Sequence, residues 1–426
     1  MSSRFNALIG ASLFGALAIS APALAETGRL PKGVTPVAYD ITVAPDATKL
    51  TFTGEEAITV DVTVPTKTLT LNAADLTISG ATLDNGTSGT ITTNAAAQTA
   101  SFAFAQPVSK GRHILKLSFA GKINQSAAGL FAIDYKSADG KDARLLVTQF
   151  EAPDARRFAP MWDEPALKAT FKLSAIAPSA QTAFSNMPVT SKEDGPGGTL
   201  WHFAETPKMS SYLLFLGMGD VERKTVMSGK TEIGIITRKG VVDQGDYSLE
   251  SAQRLLAYYN DYFGTPYPLP KLDMIAAPGS SQFFGAMENW GAILYFERTV
   301  LIDPKLTTEV HKQDVFNVVA HEMAHQWFGD LVTMAWWDDL WLNEGYASWG
   351  ALTQSLANAR QGAFNLDARS TTHPIIQHIM TVDQISQAFD NITYRKGEAV
   401  IRMLEASVGA DPFREGVRRY MAKHAY

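Results

Sequence analysis

Two histidines on one turn of a predicted helix have the spacing that points most directly to chemistry. His321 and His325 lie four residues apart in the run HEMAH. Side chains four residues apart lie one above the other on the same helical face, so both imidazoles can reach a single ion. Zinc accepts imidazole nitrogen and carboxylate oxygen at about 2.0 to 2.2 Å, and its catalytic sites combine three protein ligands with a position for water. The pair therefore predicts two ligands of one Zn²⁺ ion per chain.

A third ligand and a base are predicted from the same region. Glu344 follows His325 after 18 intervening residues, which is enough for a turn and a second helix packed against the first. Glu322 lies about 100° around the helix from His321, so it can sit beside the metal without binding it and act on water as the general base. We therefore predict His321, His325 and Glu344 as metal ligands and Glu322 as a catalytic residue. The alternative is a chance pattern around core histidines, which arises on the order of once in a hundred chains before the Glu344 spacing is required.

The elements that must position these residues fall into two parts. From Tyr39 to about Val226 the sequence has alternating segments such as ITVDV at 58–62 and turn signals such as DNG at 84–86, which are typical of strands. After a Ser228-Gly229 break, a helix is predicted from Ser248 to Tyr262 and helices dominate the last part of the chain. The sequence thus predicts an α+β protein. An all-β domain, a sandwich or a saddle-shaped sheet, is expected at 26–229, followed by a catalytic domain at 230–426.

Composition narrows the class of partner. The chain has 426 residues, 46% of them hydrophobic, which is enough to bury a sizeable core. Its formal net charge is -6, and no dense block of Lys and Arg is present that could neutralise a run of phosphates. No nucleic acid partner is expected.

The first 25 residues are typical of an export signal. Arg4 gives a positive start, the stretch from Ala7 to Ile19 is apolar, and small residues at 23–25 precede Glu26. The alternative is a membrane anchor, but this apolar stretch would cover only roughly 20 Å of a core about 30 Å thick. The chain contains no cysteine, which excludes disulfides and a lipid anchor on an N-terminal Cys. We expect an exported protein, periplasmic or secreted, with no stable membrane anchor after cleavage.

Three further groups of motifs accompany the zinc pattern in a specific order. They are TQFE at 148–151 with DAR at 154–156 and WDEP at 162–165, GAMEN at 285–289, and ITYRKG at 392–397. With these motifs the sequence resembles the M1 aminopeptidases, the gluzincin group that includes aminopeptidase N. The resemblance covers most of the chain after the export signal. It implies a thermolysin-like catalytic domain, with a small β lobe and a helical lobe, behind the N-terminal β domain.

The resemblance also implies how a peptide substrate with a free N-terminus is held. The implied substrate-binding residues are Gln149, Glu151, Gly285, Ala286, Met287, Glu288 and Asn289. A cationic α-amino group would form charge-assisted hydrogen bonds with Glu288 and Glu151. Tyr394 resembles the family's tyrosine that donates its phenolic hydrogen to the developing oxyanion, although a tyrosine at a helix start also fits a packing role.

Alternative functions share much of this pattern. A thermolysin-like endopeptidase would use the same zinc and base but would not need two carboxylates for an amine. An epoxide-hydrolysing leukotriene hydrolase is a second relative, which the export signal disfavours. A catalytically silent peptide-binding relative should have lost ligands or the base, and here all of them are present.

Family members continue with a large helical domain, so the resemblance implies that the sequence is incomplete at its C-terminus. The sequence leaves the oligomeric state and the preferred N-terminal residue open.

Overall fold

The computed structural model of the protein describes residues 28–281, 284–351 and 356–426, except the side chains of residues 356–360. The predicted export signal at residues 1–25 lies outside the described residues. The strands are β1 (Val34–Asp46), β2 (Thr51–Val62), β3 (Thr66–Asn72), β4 (Thr77–Leu83), β5 (Thr90–Asn94), β6 (Thr99–Val108), β7 (Gly111–Lys122), β8 (Gly129–Lys136), β9 (Asp142–Gln149), β10 (Thr170–Ala177), β11 (Thr182–Ser185), β12 (Val189–Gly195), β13 (Gly198–Phe203), β14 (Leu216–Gly219), β15 (Val221–Ser228), β16 (Thr231–Arg238), β17 (Lys271–Ala277), β18 (Ala286–Met287) and β19 (Ala292–Phe296).

The α-helices are α1 (Asp246–Phe263), α2 (Glu297–Val300), α3 (Glu309–His325), α4 (Leu340–Gly350), α5 (Leu356–Asp367), α6 (Val382–Gln387), α7 (Gly397–Val408) and α8 (Ala410–His424), with a π-helix at Ile392–Lys396. Helix α1 lies between β16 and β17, and helices α2 to α8 follow β19. The predicted fold class, α+β with an N-terminal β-rich domain and a helical region after it, is confirmed. The helix predicted from Ser248 to Tyr262 is α1, which ends where Gly264 adopts a left-handed φ of 65°. No described helix has both the length and the apolar character that crossing a bilayer requires.

The N-terminal β-rich part is built around a seven-stranded sheet in the order β12-β13-β10-β1-β2-β7-β4. A three-stranded sheet, β3-β6-β5, accompanies it. In β2 the side chains alternate, with Phe52, Ile58 and Val60 buried and Thr51 and Thr53 exposed. Because successive side chains of a strand point to opposite faces, this alternation places one face of the strand against the core.

Glu56 interrupts the apolar face of β2. Its side chain is 4% exposed, and its cross-strand neighbours are Ile41 on β1 and Leu117 on β7. Neither carboxyl oxygen has a hydrogen-bond partner among the described residues. Burial therefore raises the pKa of the Glu56 carboxyl well above its usual range, because the charged form would lose its hydration.

Replacing this carboxyl by an apolar group should stabilise the fold. We expect Glu56→Met to raise the free energy of unfolding by about 1 to 3 kcal/mol near pH 8, because an unpaired polar group no longer has to be buried. The pKa of the Glu56 carboxyl is higher in the folded than in the unfolded protein. The parent protein therefore has its full stability below the unfolded pKa of about 4.3, where the carboxyl is protonated in both states, and loses stability as pH rises towards the folded pKa. The advantage of the variant should therefore grow from pH 5 to pH 8.

Denaturant unfolding at pH 5 and pH 8 measures this difference. The matched control is Glu55→Met, because Glu55 is the exposed neighbour on the other face of β2. An advantage of Glu56→Met that is equal at both pH values would show that the buried carboxyl does not control it.

A four-stranded sheet in the order β11-β14-β9-β8 carries the first predicted substrate-binding residues. Its strand β9 is buried over its last five residues and ends at Gln149. The Thr148 hydroxyl accepts a hydrogen bond from the backbone N–H of Leu216 at 2.9 Å. This bond fixes the end of β9 next to β14, and the chain then turns at Glu151.

The third large sheet belongs to the catalytic part and has the order β15-β16-β17-β19-β18. Strands β16, β17 and β19 run parallel, whereas β15 and β18 lie antiparallel at the two edges. The domain boundary predicted after Gly229 falls at the turn between β15 and β16. Both strands belong to this sheet. The chain passes from the four-stranded sheet to this one at Asp220, between β14 and β15.

The two parts of the chain meet close to the end of α3. The half-buried Lys168 ammonium donates to the backbone carbonyls of Asp330 and Leu331, at 3.1 Å each. The Tyr212 hydroxyl donates to the carbonyl of Gly329 at 3.2 Å. These three contacts hold the turn that follows the second predicted metal ligand, so the N-terminal part supports the geometry of the site.

Candidate active site

The three predicted metal ligands converge on one point. The Nε2 atoms of His321 and His325 are 3.0 Å apart, and each faces the Oε2 atom of Glu344, at 3.3 Å and 3.5 Å. Glu344 Oε2 is buried and has no hydrogen-bond partner among the described residues. Burial alone would raise the pKa of the Glu344 carboxyl, but the charge on His325 and the close approach of the two imidazoles hold it at about 2.

These donors fit a tetrahedral zinc ion. Zinc bonds of 2.0 to 2.2 Å in a tetrahedron place neighbouring ligand atoms roughly 3.3 to 3.6 Å apart, which is close to the distances within this cluster. Burial lowers the pKa of His321 and so favours the neutral imidazole, the form that binds metal. The His325 Nδ1–H donates to the Phe328 carbonyl at 2.9 Å, which leaves Nε2 free to face the cluster.

A glycine lets the chain pass close to His325 after α3 ends. Gly329 has a φ of 130°, and a Cβ atom there would overlap the Asn343 side chain and lie 3.2 Å from His325 Nδ1. A side chain at this position would therefore displace either the imidazole or α4. The tight turn allows α4 to return along α3 and to bring Glu344 to the two histidines.

Glu322 lies beside the cluster, as its position on α3 predicts. Its carboxyl, that of Glu288 and a ring nitrogen of His325 lie within 4.8 Å of one another. Burial raises the pKa of the Glu322 carboxyl well above its usual range, and nearby carboxylates raise it further, although His325 opposes them. A carboxyl with a raised pKa can accept a proton and release it again near neutral pH.

Three carboxyl groups form a second cluster next to the first. Oxygen atoms of Glu151, Glu288 and Glu344 lie within 4.8 Å of one another. Burial raises the pKa of both Glu151 and Glu288, and repulsion from Glu288 raises that of Glu151 further. Glu151 Oε1 is buried without a hydrogen-bond partner among the described residues. Such a cluster favours a cation, because a positive charge would relieve the repulsion and pair with the buried oxygens.

The GAMEN segment delivers Glu288 from the edge of the catalytic sheet. Ala286 and Met287 form β18 and pair with Tyr295 and Leu294 of β19, while Gly285 lies exposed at the outer end. The backbone leaves the strand at Glu288, whose carboxyl turns towards α3 and α4.

Two other predicted substrate-binding side chains have unused hydrogen-bonding groups. Asn289 is fully buried, and neither atom of its amide has a partner among the described residues. The Gln149 amide donates to the Glu151 carbonyl at 3.4 Å, and its Oε1 is unpartnered in the same described part of the chain. Both amides therefore have unused capacity to bind a further polar group.

Tyr394 lies on the π-helix, next to the cluster of predicted metal ligands. Its ring is stacked near that of His321, with centroids 6.1 Å apart and an interplanar angle of 25°. Burial raises the pKa of the Tyr394 hydroxyl well above its usual value, and the charges on Glu344 and Glu151 raise it further. The phenol is therefore protonated near neutral pH and can donate a hydrogen bond.

Close backbone contact brings the π-helix and α7 against α4. A Cβ atom on Gly345 would lie 3.0 Å from the carbonyl carbon of Gly397, and one on Gly397 would lie 3.2 Å from the Trp341 carbonyl oxygen. Larger residues would separate the helices, and with them Tyr394 from Glu344. The sequence motif ITYRKG includes this glycine but does not reveal the contact.

Two supporting residues were missed by sequence reasoning. The Asn343 amide donates to Glu288 Oε1 and to Glu344 Oε1, at 3.2 Å each, and so links the two clusters. The Gln326 amide donates to the Glu288 carbonyl at 3.0 Å, and its Oε1 accepts from Gly291 N–H at 3.2 Å. Both residues are adjacent in sequence to a predicted ligand, and this adjacency is the one signal that could have identified them.

Comparison with known proteins identifies the family. Residues 35–213 match the Peptidase M1 N-terminal domain, and residues 247–426 match the Peptidase family M1 domain. An aminopeptidase N of Acetobacter pasteurianus is 47% identical over 347 residues, which cover 79% of this chain and 98% of that protein. The chain therefore belongs to the M1 peptidase family.

Longer relatives are similar over most of this chain. Aminopeptidase M1-B of Oryza sativa subsp. japonica is 40% identical, over 93% of this chain and 47% of its own length. The leucyl aminopeptidase of Saccharolobus solfataricus is 41% identical, over 74% of this chain and 41% of its own length. The chain thus spans about half the length of the rice relative.

Proposed function

We propose that the protein is a zinc-dependent aminopeptidase that hydrolyses the N-terminal peptide bond of peptides. The observation that carries this proposal is the contact between two clusters, a metal-ligand set of His321, His325 and Glu344 and a carboxylate set that includes Glu151 and Glu288. The first set suits hydrolysis, and the second suits a substrate whose amino group is free and positively charged. Relatives named as aminopeptidases support the same activity.

Zinc would be held by His321, His325 and Glu344, and when bound it supplies Lewis-acid polarisation of the substrate carbonyl and a lowered pKa for water. Glu322 is outside this ligand set in the proposal. Its carboxylate accepts a proton from the attacking water and delivers it to the leaving nitrogen. Because burial raises the pKa of Glu322, its protonated form can serve as the acid in the second step.

Tyr394 acts on the charge that develops during attack. Its phenolic O–H donates a hydrogen bond to the carbonyl oxygen as this oxygen becomes negative. The interaction strengthens as the charge grows, so it stabilises the transition state more than the bound peptide.

The substrate's α-amino group is bound by Glu288 and Glu151. The ammonium group offers three N–H donors, and the buried Glu288 and half-buried Glu151 carboxyls can accept two of them. Because the carboxyls are fixed beside the metal-ligand set, binding of the amine places the first peptide bond, and no later one, at the reacting position.

An endopeptidase is the main alternative. It would use the same ligands and base, but it would leave the buried Glu288 and half-buried Glu151 carboxyls next to neutral backbone, which costs free energy. A silent peptide-binding protein would have no use for Glu322 beside an intact ligand set.

Product analysis separates these functions. We expect incubation of the full-length protein with an unblocked pentapeptide to release the N-terminal amino acid and the matching tetrapeptide first, with shorter peptides only later. Mass spectrometry of early time points gives the order of products. Internal cleavage as the first event would support the endopeptidase, and an intact peptide would support a binding protein.

A further inference from the structure

Asp390 precedes the π-helix that carries Tyr394 and holds its first turn. Its Oδ1 atom accepts hydrogen bonds from the backbone N–H groups of Ile392 and Thr393, at 2.8 and 3.2 Å. Its backbone carbonyl accepts from the Tyr394 N–H at 3.0 Å. One aspartate thus binds three successive N–H groups at a helix start, where such groups have no partner within the helix.

A second residue fixes the other oxygen of the same carboxylate. The His373 Nε2 atom lies 2.8 Å from Asp390 Oδ2, and its Nδ1 atom faces the Pro374 carbonyl at 2.7 Å. His373 lies in the connection between α5 and α6, so it ties Asp390 to a different segment of the chain. The aspartate is therefore held from both sides and has little freedom to rotate.

The geometry of the π-helix makes this support important. A π-helix is rare and short, and it occurs mostly at functional sites. Here the Gly397 N–H donates to the Ile392 carbonyl, five residues back, so the turn that presents Tyr394 is wider than an α-turn. If the first N–H groups lost their acceptor, the turn could relax towards the α-helix, which would rotate the Tyr394 side chain around the axis.

We propose that Asp390, held by His373, is a positioning residue that fixes the π-turn and thereby aims the Tyr394 hydroxyl at the reacting carbonyl oxygen. The proposal rests on the proposed function, in which Tyr394 stabilises the oxyanion. Asp390 itself touches no substrate in this scheme. Its effect on the rate should pass through Tyr394.

Single variants of the full-length protein give the first test. Tyr394→Phe should lower kcat by roughly 10²- to 10³-fold with little change in KM, as expected for loss of one oxyanion donor. Asp390→Ala should lower kcat by about 10- to 10²-fold, since a small misplacement of a catalytic group has effects of this size. Asp390→Asn keeps an oxygen acceptor for the N–H groups and should restore most of kcat. His373→Gln should lower kcat by a smaller factor than Asp390→Ala.

The double variant distinguishes positioning from general damage. If Asp390 acts through the Tyr394 hydroxyl, adding Asp390→Ala to Tyr394→Phe should lower kcat by less than about threefold more, because the hydroxyl is already absent. A merely structural role would lower kcat by the same factor in both backgrounds. Such independent effects would overturn the proposal, even if Asp390→Ala alone is slow or partly unfolded.

Asp367→Ala is the matched control. Asp367 pairs with Lys396 on the outside of the same π-helix, at 2.9 Å, and contacts none of its first N–H groups. This variant should keep the parent kcat.

A full rate in Asp390→Ala together with a slow Tyr394→Phe would overturn the positioning role and leave the proposed function intact. A full rate in Tyr394→Phe would overturn the oxyanion assignment and the positioning role with it.

Discussion

A peptide whose amino group is acetylated should be turned over far more slowly than the same peptide with a free amino group. The acetylated nitrogen is neutral, so the buried Glu288 and the half-buried Glu151 carboxyls would be left without a cation. Leaving a buried charge without its partner costs roughly 3 to 5 kcal/mol, which corresponds to a factor of about 10² to 10⁴ in kcat/KM.

Steady-state kinetics on the paired peptides measure this factor. A peptide amidated at its C-terminus is the matched control, because it also loses one terminal charge, but at the end that the carboxylate cluster does not contact, and it should be cleaved at nearly the parent rate. Similar rates for acetylated and free peptides would contradict the aminopeptidase proposal and favour the endopeptidase.

Removing the proton-accepting group of Glu322 should have an effect of similar size. General acid–base catalysis contributes about 10² to 10⁴ to the rate, so Glu322→Gln should lose this factor in kcat. The amide has nearly the same shape, and Glu322 is not one of the three proposed ligands, so the fold and the bound metal should be retained.

Glu309→Gln provides the matched control for this substitution. Glu309 is the first residue of the same helix, is exposed, and pairs only with Lys312 among the described residues. It should keep the parent kcat. A Glu322→Gln variant with a rate within a few-fold of the parent would remove Glu322 from the catalytic set.

Local spacing explains why the centre of the site could be predicted from the sequence. His321 and His325 share a helical face wherever the helix forms, and the structure brings Glu344 to them from α4. The export signal, by contrast, stays a prediction. The roles of the ligands, the base and Tyr394 also stay predictions, although their positions agree with those roles.

Long-range packing explains what the sequence could not reveal. Alternation within β15 predicts a strand but not the sheet to which it belongs, and the strand pairs with β16 of the catalytic part. Likewise, the residues at 392–396 do not by themselves predict a π-helix, and the contact of His373 with Asp390 joins segments 17 residues apart. Glu151 and Glu288 are far apart in sequence, and resemblance to a family was the only basis for placing both at an amine.

Elemental analysis of three purified proteins tests the central claim most directly. The account predicts about one zinc per chain in the parent and in Glu322→Gln, and loss of zinc in His325→Ala. The reason is that His325 belongs to the three-ligand set, whereas Glu322 does not. Glu322→Gln should then be inactive with its metal bound. Zinc retained at full stoichiometry in His325→Ala would contradict the assignment of this cluster as the metal site.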